Sequence, residues 1–253
     1  MPTLLAVIPH PDDESYSFAG TIALAADAGW DCLVHCATYG EGGERHDGGL
    51  PGRNALADAR EAELRESCRI LGARPPEFWG LPDGELALHS GESVRLARLF
   101  QTERPDVVFA LGPDGAYGHP DHLALHRWLV AAWEQAPEPR PVLLLAAFPP
   151  GLFSPQYEKC VSAGIMGEPP ALAPDALGTA TVHYDVPIAR VRSRKRAAIA
   201  AHRTQLPGGE PEALFPSGIV PALLKVERFV DARGAADSQT AALLASLAAP
   251  TSG

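Results

Sequence analysis

Short apolar runs alternate with longer amphipathic segments along most of this chain. Residues 4–8 form a continuous apolar run, which is typical of a strand buried inside a parallel sheet. Residues 14–28 then place apolar side chains at helical spacing, and a glycine follows them. The same reasoning predicts further strands at 32–38, 78–79, 106–111, 142–148, 179–186 and 226–230, and further helices at 53–71, 93–100, 119–133, 188–202 and 235–247.

Strands that alternate with helices imply right-handed crossovers and a mostly parallel sheet. We therefore predict an α/β, Rossmann-like fold, in which helices flank both faces of the sheet and a C-terminal extension follows. The 253 residues, 46% of them hydrophobic, are expected to form a single domain spanning 1–253. Residues 149–177 are rich in proline, glycine and alanine, and we expect them to form a surface loop region beside a substrate site.

The formal net charge of -10 argues against nucleic acid or an anionic membrane as a partner, because phosphate groups would be repelled. A small neutral or cationic molecule is the expected partner. The N-terminus has no basic leader, and its apolar run is too short for a signal peptide, so a cytoplasmic location is expected. The four cysteines form no CxxC pair and are expected to be buried, reduced thiols.

The turn after the first strand, Pro9 to Asp13, excludes a dinucleotide site, because two carboxylates stand where glycines would have to approach a pyrophosphate. Gly40 to Gly43 could cradle an anion after the second strand. An ordinary turn explains those glycines more simply.

His10, Asp12 and Asp13 follow the first predicted strand, and ligands of open α/β sheets bind outside the carboxyl ends of strands. Helix capping is the simpler alternative, since either aspartate could cap the next helix and Glu14 could support its first turn. Capping leaves the histidine and the second aspartate unexplained.

A second polar motif, Tyr117 to His122, follows the predicted strand at 106–111. His119 and His122 stand three residues apart and can share one side of a helix. His126 continues that stripe, although a structural role is the more frequent one for such a histidine. Two imidazoles and a carboxylate, with one position open to water, are the ligand set of a catalytic zinc site.

Both motifs resemble those of the LmbE-like, or PIG-L-type, N-acetylglucosaminyl deacetylase family. Its members carry a His-Pro-Asp-Asp-Glu motif near the N-terminus and a later His-Pro-Asp-His motif. Further similarities cover nearly the whole chain: Thr38 to Gly43, Arg60 to Leu64, Leu81 to Gly84, and Lys195, Ala198, His202 and Gln205. Without the resemblance, the basic run around Lys195 is typical of a solvated helix face.

The resemblance implies a zinc-dependent hydrolase that removes an acyl group from the amine of a GlcNAc-containing small molecule. It assigns roles to nine residues: His10, Asp13 and His122 as metal ligands, Asp12 as general base, His119 and Tyr117 as oxyanion-stabilising groups, Asp121 as the residue orienting His119, and Arg60 and Asp83 as substrate contacts.

Several alternatives stay open at this point. His119 could be a fourth ligand, and another divalent ion such as Fe²⁺ could replace zinc. The substrate could be a thiol-glycoside conjugate or an antibiotic, and a homo-oligomer is compatible with the sequence. A metal-binding or sugar-binding protein without turnover is the alternative from another functional class.

Overall fold

A seven-stranded sheet forms the centre of the computed structural model, which describes residues 1–248. The strand order is β3-β2-β1-β4-β5-β7-β6. The strands are β1 (Thr3–Ile8), β2 (Asp31–Cys36), β3 (Glu77–Phe78), β4 (Val107–Ala110), β5 (Val142–Ala146), β6 (Tyr184–Pro187) and β7 (Val226–Asp231). The first five are parallel, whereas β7 is antiparallel to both β5 and β6. The predicted mostly parallel, Rossmann-like sheet is confirmed.

The direction of winding reverses between β1 and β4, because β2 pairs with one side of β1 and β4 pairs with the other. A crevice opens at such a reversal, outside the carboxyl ends of the two strands. Both polar motifs follow these strands, so the topology brings them to the same crevice.

Helices cover both faces of the sheet. They are α1 (Asp13–Ser17), α2 (Ala19–Asp27), α3 (Arg53–Leu71), α4 (Glu92–Glu103), α5 (Gly115–Gly118), α6 (Pro120–Glu134), α7 (Ser154–Ser162), α8 (Arg192–Ala201), α9 (Ile219–Leu223) and α10 (Ser238–Ala248). Alternate residues of β1 enter two different cores, as a strand period of two requires. Ala6 and Ile8 pack with α2, α3 and α8, whereas Leu5 and Val7 pack with α4 and α6.

The predicted helix at 14–28 is two helices, because the chain leaves helical geometry at Phe18. The Glu227 carboxylate accepts hydrogen bonds from the amides of Gly20 and Thr21, each at 2.7 Å, and so satisfies the first turn of α2. Lys195 lies 2.6 Å from the same carboxylate and is fully buried. The alternative that placed Lys195 on a solvated face is therefore wrong.

The proline-rich segment at 149–177 contains a helix, α7, and a short 3-10 turn at Pro174–Ala176. The predicted strand at 179–186 is shorter, since only Tyr184–Pro187 pairs with β7. All four cysteines are free and buried, as expected. Within residues 1–248, no helix combines the length and the apolar character that crossing a membrane requires.

Three stacked phenylalanine rings link the sheet to α2 and provide a test of the core. Phe109 lies 4.8 Å from Phe229 and 5.4 Å from Phe18, between ring centroids, and is fully buried. We expect Phe109→Ala to lower the free energy of unfolding by about 3–5 kcal/mol through lost burial and a residual cavity. Urea-induced unfolding measures this change.

Leu88→Ala is the control, because Leu88 is 81% exposed. It should change the free energy of unfolding by less than about 0.5 kcal/mol. A loss of under about 1 kcal/mol for Phe109→Ala would contradict the assigned core.

Candidate active site

Three donor groups meet in the crevice between β1 and β4. The Nδ1 atom of His10 lies 3.2 Å from Nε2 of His122 and 3.5 Å from Oδ2 of Asp13. Oδ1 of Asp13 lies 3.5 Å from the same His122 nitrogen. Metal–ligand bonds of about 2.0–2.1 Å at tetrahedral angles separate ligand atoms by about 3.3–3.4 Å. Each nitrogen thus faces a different oxygen of Asp13, so the three residues would hold a single divalent ion with both carboxylate oxygens turned towards it, and we call them the donor triangle.

Contacts outside the triangle fix the orientation of both imidazoles. Nδ1 of His122 lies 2.9 Å from the carbonyl oxygen of Gly115, which leaves Nε2 free to bind a metal. A β-carbon at position 115 would lie 2.7 Å from the β-carbon of His122, so glycine is needed for this approach. Nε2 of His10 lies 3.1 Å from Asp121 and 3.0 Å from Asp83, and its Nδ1 is the atom that faces the triangle.

The Asp13 carboxylate is held by two hydrogen bonds. Tyr16 donates its hydroxyl to Oδ1 at 2.6 Å, and the backbone amide of His10 donates to Oδ2 at 2.8 Å. Burial would raise the pKa of Asp13, but His122, His10 and Tyr16 together hold this pKa well below its usual range. The side chain is thus an ionised carboxylate, which is the form that binds metal.

His10 has the opposite electrostatic setting. Burial disfavours its charged form, but Asp83, Asp121 and Asp13 raise its pKa well above the ordinary value. The carboxylates of the crevice therefore favour positive charge, which either a proton on His10 or a bound cation would supply.

Asp12 adopts an unusual backbone conformation for a residue other than glycine, with φ 110° and ψ -26°. Such a conformation costs about 1–3 kcal/mol and persists only where the surroundings impose it. Its Oδ2 atom lies 3.2 Å from the Arg60 guanidinium. Burial raises the pKa of Asp12 to about 7, and the charge of Arg60 opposes that rise. A divalent cation nearby would oppose it further.

Arg60 is 4% exposed and braces the turn around Asp12. Besides the Asp12 carboxylate, it donates to the carbonyl oxygens of Gly40, at 2.8 Å, and Pro11. The residue borders the cavity, as a substrate contact must, but most of its donors are used inside the protein.

His119 and Tyr117 lie beside the donor triangle. The His119 ring is 4.9 Å from the rings of both His10 and His122, and the Tyr117 ring is also 4.9 Å from His122. Donor atoms of the three histidines lie within 4.8 Å of one another, so the geometry does not exclude His119 as a ligand.

Nδ1 of His119 accepts a hydrogen bond from the backbone amide of Asp121 at 3.2 Å. Burial, together with His10 and His122, lowers the pKa of His119 to about 3. The ring is therefore neutral, with its proton on Nε2. Burial also raises the pKa of Tyr117, so both residues are hydrogen-bond donors at neutral pH.

The carboxylate of Asp121 contacts His10 rather than His119, which differs from the sequence-based expectation. Its oxygens also accept hydrogen bonds from the amides of Gly84, at 2.8 Å, and Leu86, at 2.9 Å. The loop after β3 thereby turns the carboxylate away from His119. His119 is oriented by the Asp121 amide instead.

A cavity of about 450 Å³ opens from this crevice. Asp83 borders it, with one oxygen on His10 and the other accepting from the Gly42 amide at 2.7 Å. One wall comes from α7 and its C-terminal turn, within the segment predicted to lie beside a substrate site. The lining residues from that segment are Gln156, Lys159, Cys160, Ala163 and Ile165.

Sequence reasoning did not identify Tyr16 as a partner of Asp13. Its position three residues after Asp13, one helical turn away, is a signal that could have indicated the contact.

A family model described as GlcNAc-PI de-N-acetylase (PIG-L) matches residues 5–133. A 1D-myo-inositol 2-acetamido-2-deoxy-alpha-D-glucopyranoside deacetylase from Nakamurella multipartita is 34% identical over 243 residues, and the match covers 81% of each chain. Residues 5–133, which the family model matches, contain the whole donor triangle.

Solved structures share the architecture. A conserved protein from Thermus thermophilus has a TM-score of 0.64 and 28% identity, with 94% of this chain and 98% of that chain covered. A 4-carboxy-2-hydroxymuconate hydratase from Pseudomonas putida has a TM-score of 0.63 at 20% identity, with 92% and 96% covered. At that identity the likeness shows the fold alone, and the fold serves more than one reaction.

The donor triangle can be tested with two histidines of the same helix. His122 is part of the triangle, whereas Nδ1 of His126, one turn further along α6, lies 2.9 Å from the carbonyl oxygen of Leu111. We expect His122→Ala to weaken Zn²⁺ binding by at least about 100-fold. Loss of a residue that only hydrogen-bonds to a metal ligand already costs up to about 100-fold, and loss of the ligand itself should cost more. Competition with a chromogenic chelator measures the affinity.

His126→Ala should leave the affinity for Zn²⁺ within about threefold of the parent. His126 is neither a member of the triangle nor a hydrogen-bond partner of one, and even the loss of such a partner costs only about 10–100-fold. Equal losses in the two variants would show that the triangle is not where the ion binds.

Proposed function

Because the chain belongs to the PIG-L family, we propose that it is a zinc-dependent hydrolase that removes the acetyl group from the amine of a small N-acetylglucosamine conjugate. The observation that carries the proposal is the donor triangle of His10, Asp13 and His122, with Asp12 lining the same cavity as His10.

Zinc bound to the triangle would polarise the acetamide carbonyl and lower the pKa of the attacking water. Asp12 is the general base in this proposal, because it takes one proton from that water as the new carbon–oxygen bond forms. The same proton then passes to the sugar nitrogen as the carbon–nitrogen bond breaks. The products are a free amine and acetate.

His119 and Tyr117 stabilise the negative charge that develops on the carbonyl oxygen. Both are neutral donors, and fixed donors at such a position are worth about 3–4 kcal/mol each in acyl-transfer enzymes. His119 is suited to this role because the Asp121 amide occupies its Nδ1 atom and leaves Nε2–H for the substrate.

Arg60 and Asp83 are proposed to contact the sugar as well as the protein. Asp83 has lone pairs beyond those used by His10 and Gly42, so it can accept a bond from a sugar hydroxyl. Arg60 acts mainly by holding the Asp12 turn and its carboxylate.

The cavity is large enough for more than one sugar ring, since ligand pockets of about 300–1,000 Å³ hold drug-sized molecules. Leu214 and Phe215 add apolar surface to a lining that is otherwise rich in polar groups. We propose a conjugate of N-acetylglucosamine with a second small group, such as a polyol, a thiol-bearing unit or an antibiotic core.

The proposal is tested with zinc-loaded protein and three probes: 1D-myo-inositol 2-acetamido-2-deoxy-α-D-glucopyranoside, N,N'-diacetylchitobiose and N-acetylglucosamine. We expect equal amounts of primary amine and acetate from at least the first probe, measured by fluorescamine and by an acetate assay. Asp12→Asn should lower kcat by about 10²–10⁴-fold, the usual contribution of a general base.

Asp185→Asn is the matched control, because Asp185 is a 61% exposed aspartate on β6 that contacts Arg228. Its kcat should equal that of the parent. No amine from any of the three probes, or full activity in Asp12→Asn, would refute the deacetylase proposal.

Removal of the metal gives a separate prediction. Dialysis against a chelator should abolish turnover, and one equivalent of Zn²⁺ should restore it, because the polarised carbonyl and the acidified water both depend on the ion. A higher kcat with one equivalent of Fe²⁺ than with Zn²⁺ would indicate that iron is the catalytic metal. Turnover that survives complete metal removal would contradict metal dependence altogether.

A further inference from the structure

Glu14 ends the first polar motif and is fully buried, and it has no direct part in the proposed reaction. Its Oε2 atom accepts a hydrogen bond from the backbone amide of Asp12 at 3.1 Å. The contact resembles a capping box, in which an acidic side chain in the first turn of a helix accepts a hydrogen bond from the backbone amide of the N-cap residue. Glu14 therefore supports the start of α1, as expected, through the residue that serves as the general base.

The amide that Glu14 holds belongs to a strained residue. Asp12 has a left-handed backbone, which residues with a β-carbon seldom adopt unless neighbouring groups impose it. Its carbonyl oxygen is held as well, by the amide of Ser15 at 2.9 Å and the Ser15 hydroxyl at 2.7 Å. Both backbone groups of Asp12 are thus fixed by side chains or amides of α1.

Two distant helices hold Glu14 in turn. Ser67 of α3 donates its hydroxyl to Oε1 at 2.6 Å, and Nε2 of His202, at the end of α8, lies 2.8 Å from the same oxygen. Ser67 and His202 are fully buried and do not border the cavity. This gives His202, part of the C-terminal motif, a defined contact on the path to Asp12.

We propose that Glu14 is a positioning residue, which ties the strained Asp12 backbone to α3 and α8 and so aims the base carboxylate at the donor triangle. The inference rests on the proposed function for its kinetic consequence. It predicts that loss of the carboxylate lowers kcat, because a misplaced base is slow, while KM and metal content change little.

Glu14→Met removes both acceptor oxygens and keeps a side chain of similar length. We expect kcat with the GlcNAc–inositol probe to fall by about 10–100-fold, the effect of a base displaced by an ångström or less. KM and the zinc content should stay within about twofold of the parent values. A group that acts only in the transition state changes kcat and leaves KM unchanged when it is removed.

Glu63→Met is the matched control. Glu63 lies one turn before Ser67 on α3, is also buried, and joins the amide and hydroxyl of Thr204, each at 2.7 Å. It links the same helix to the segment after His202 without touching Asp12. Its loss should lower the melting temperature but leave kcat of the folded protein unchanged.

Glu14→Gln should recover at least about tenfold of the kcat lost in Glu14→Met, because its carbonyl oxygen can accept from the Asp12 amide while its NH₂ faces Ser67 and His202. Ser67→Ala, which removes one anchor and risks little in folding, should lower kcat by about threefold or more, with KM unchanged. An unchanged kcat in Glu14→Met or Ser67→Ala, or an equal fall in Glu63→Met, would overturn the inference.

A crystal structure of zinc-loaded Glu14→Met provides a readout that does not depend on turnover. We expect Asp12 to leave its left-handed conformation and its carboxylate to move away from the triangle. Asp12 retained at a φ near 110° would overturn the inference even if the protein deacetylates no probe. Absence of turnover in the parent protein would instead refute the proposed function.

Discussion

Concentrated negative charge around one buried imidazole is the constraint on which the rest of the site depends. His10 contacts Asp13 through one nitrogen and Asp83 and Asp121 through the other, and all four side chains are at most 9% exposed. Buried carboxylates are costly unless a cation or several hydrogen bonds satisfy them. Amides of neighbouring loops satisfy part of this demand, and a divalent ion between His10, Asp13 and His122 would satisfy the remainder.

The mostly parallel sheet and the position of both motifs at the carboxyl ends of its strands could be predicted from the sequence, whereas the order of the strands could not. Apolar runs that alternate with helices indicate a parallel sheet, and polar residues between such a strand and the next helix lie at its carboxyl edge. His10, Asp13 and His122 are close together for that reason. Their contacts depend on the ends of neighbouring strands and on a helix that begins inside each motif, so local sequence carries most of the information.

Other contacts could not be predicted, because they depend on loops and helices that are distant in sequence. The Asp121 carboxylate contacts His10 because the amides of Gly84 and Leu86 hold it there. Lys195 is buried because Glu227, on a late strand, supplies its counter-charge. Ala198 and Ile199, three and four residues after Lys195, are buried, so helical spacing places this lysine on the inner face of α8. Neither that spacing nor a resemblance identifies Glu227 as its partner.

The reaction depends on the site, since the same fold is present in a hydratase and in a deacetylase. The position of a bound cation relative to Asp12 would therefore determine the chemistry. Anomalous diffraction from zinc-loaded crystals at the zinc absorption edge tests it most directly. We expect one zinc ion bound to His10 Nδ1, Asp13 and His122 Nε2 at about 2.0–2.2 Å, with Asp12 unbound beside it. Zinc held by His119, or placed between His10 Nε2, Asp83 and Asp121, would contradict this expectation.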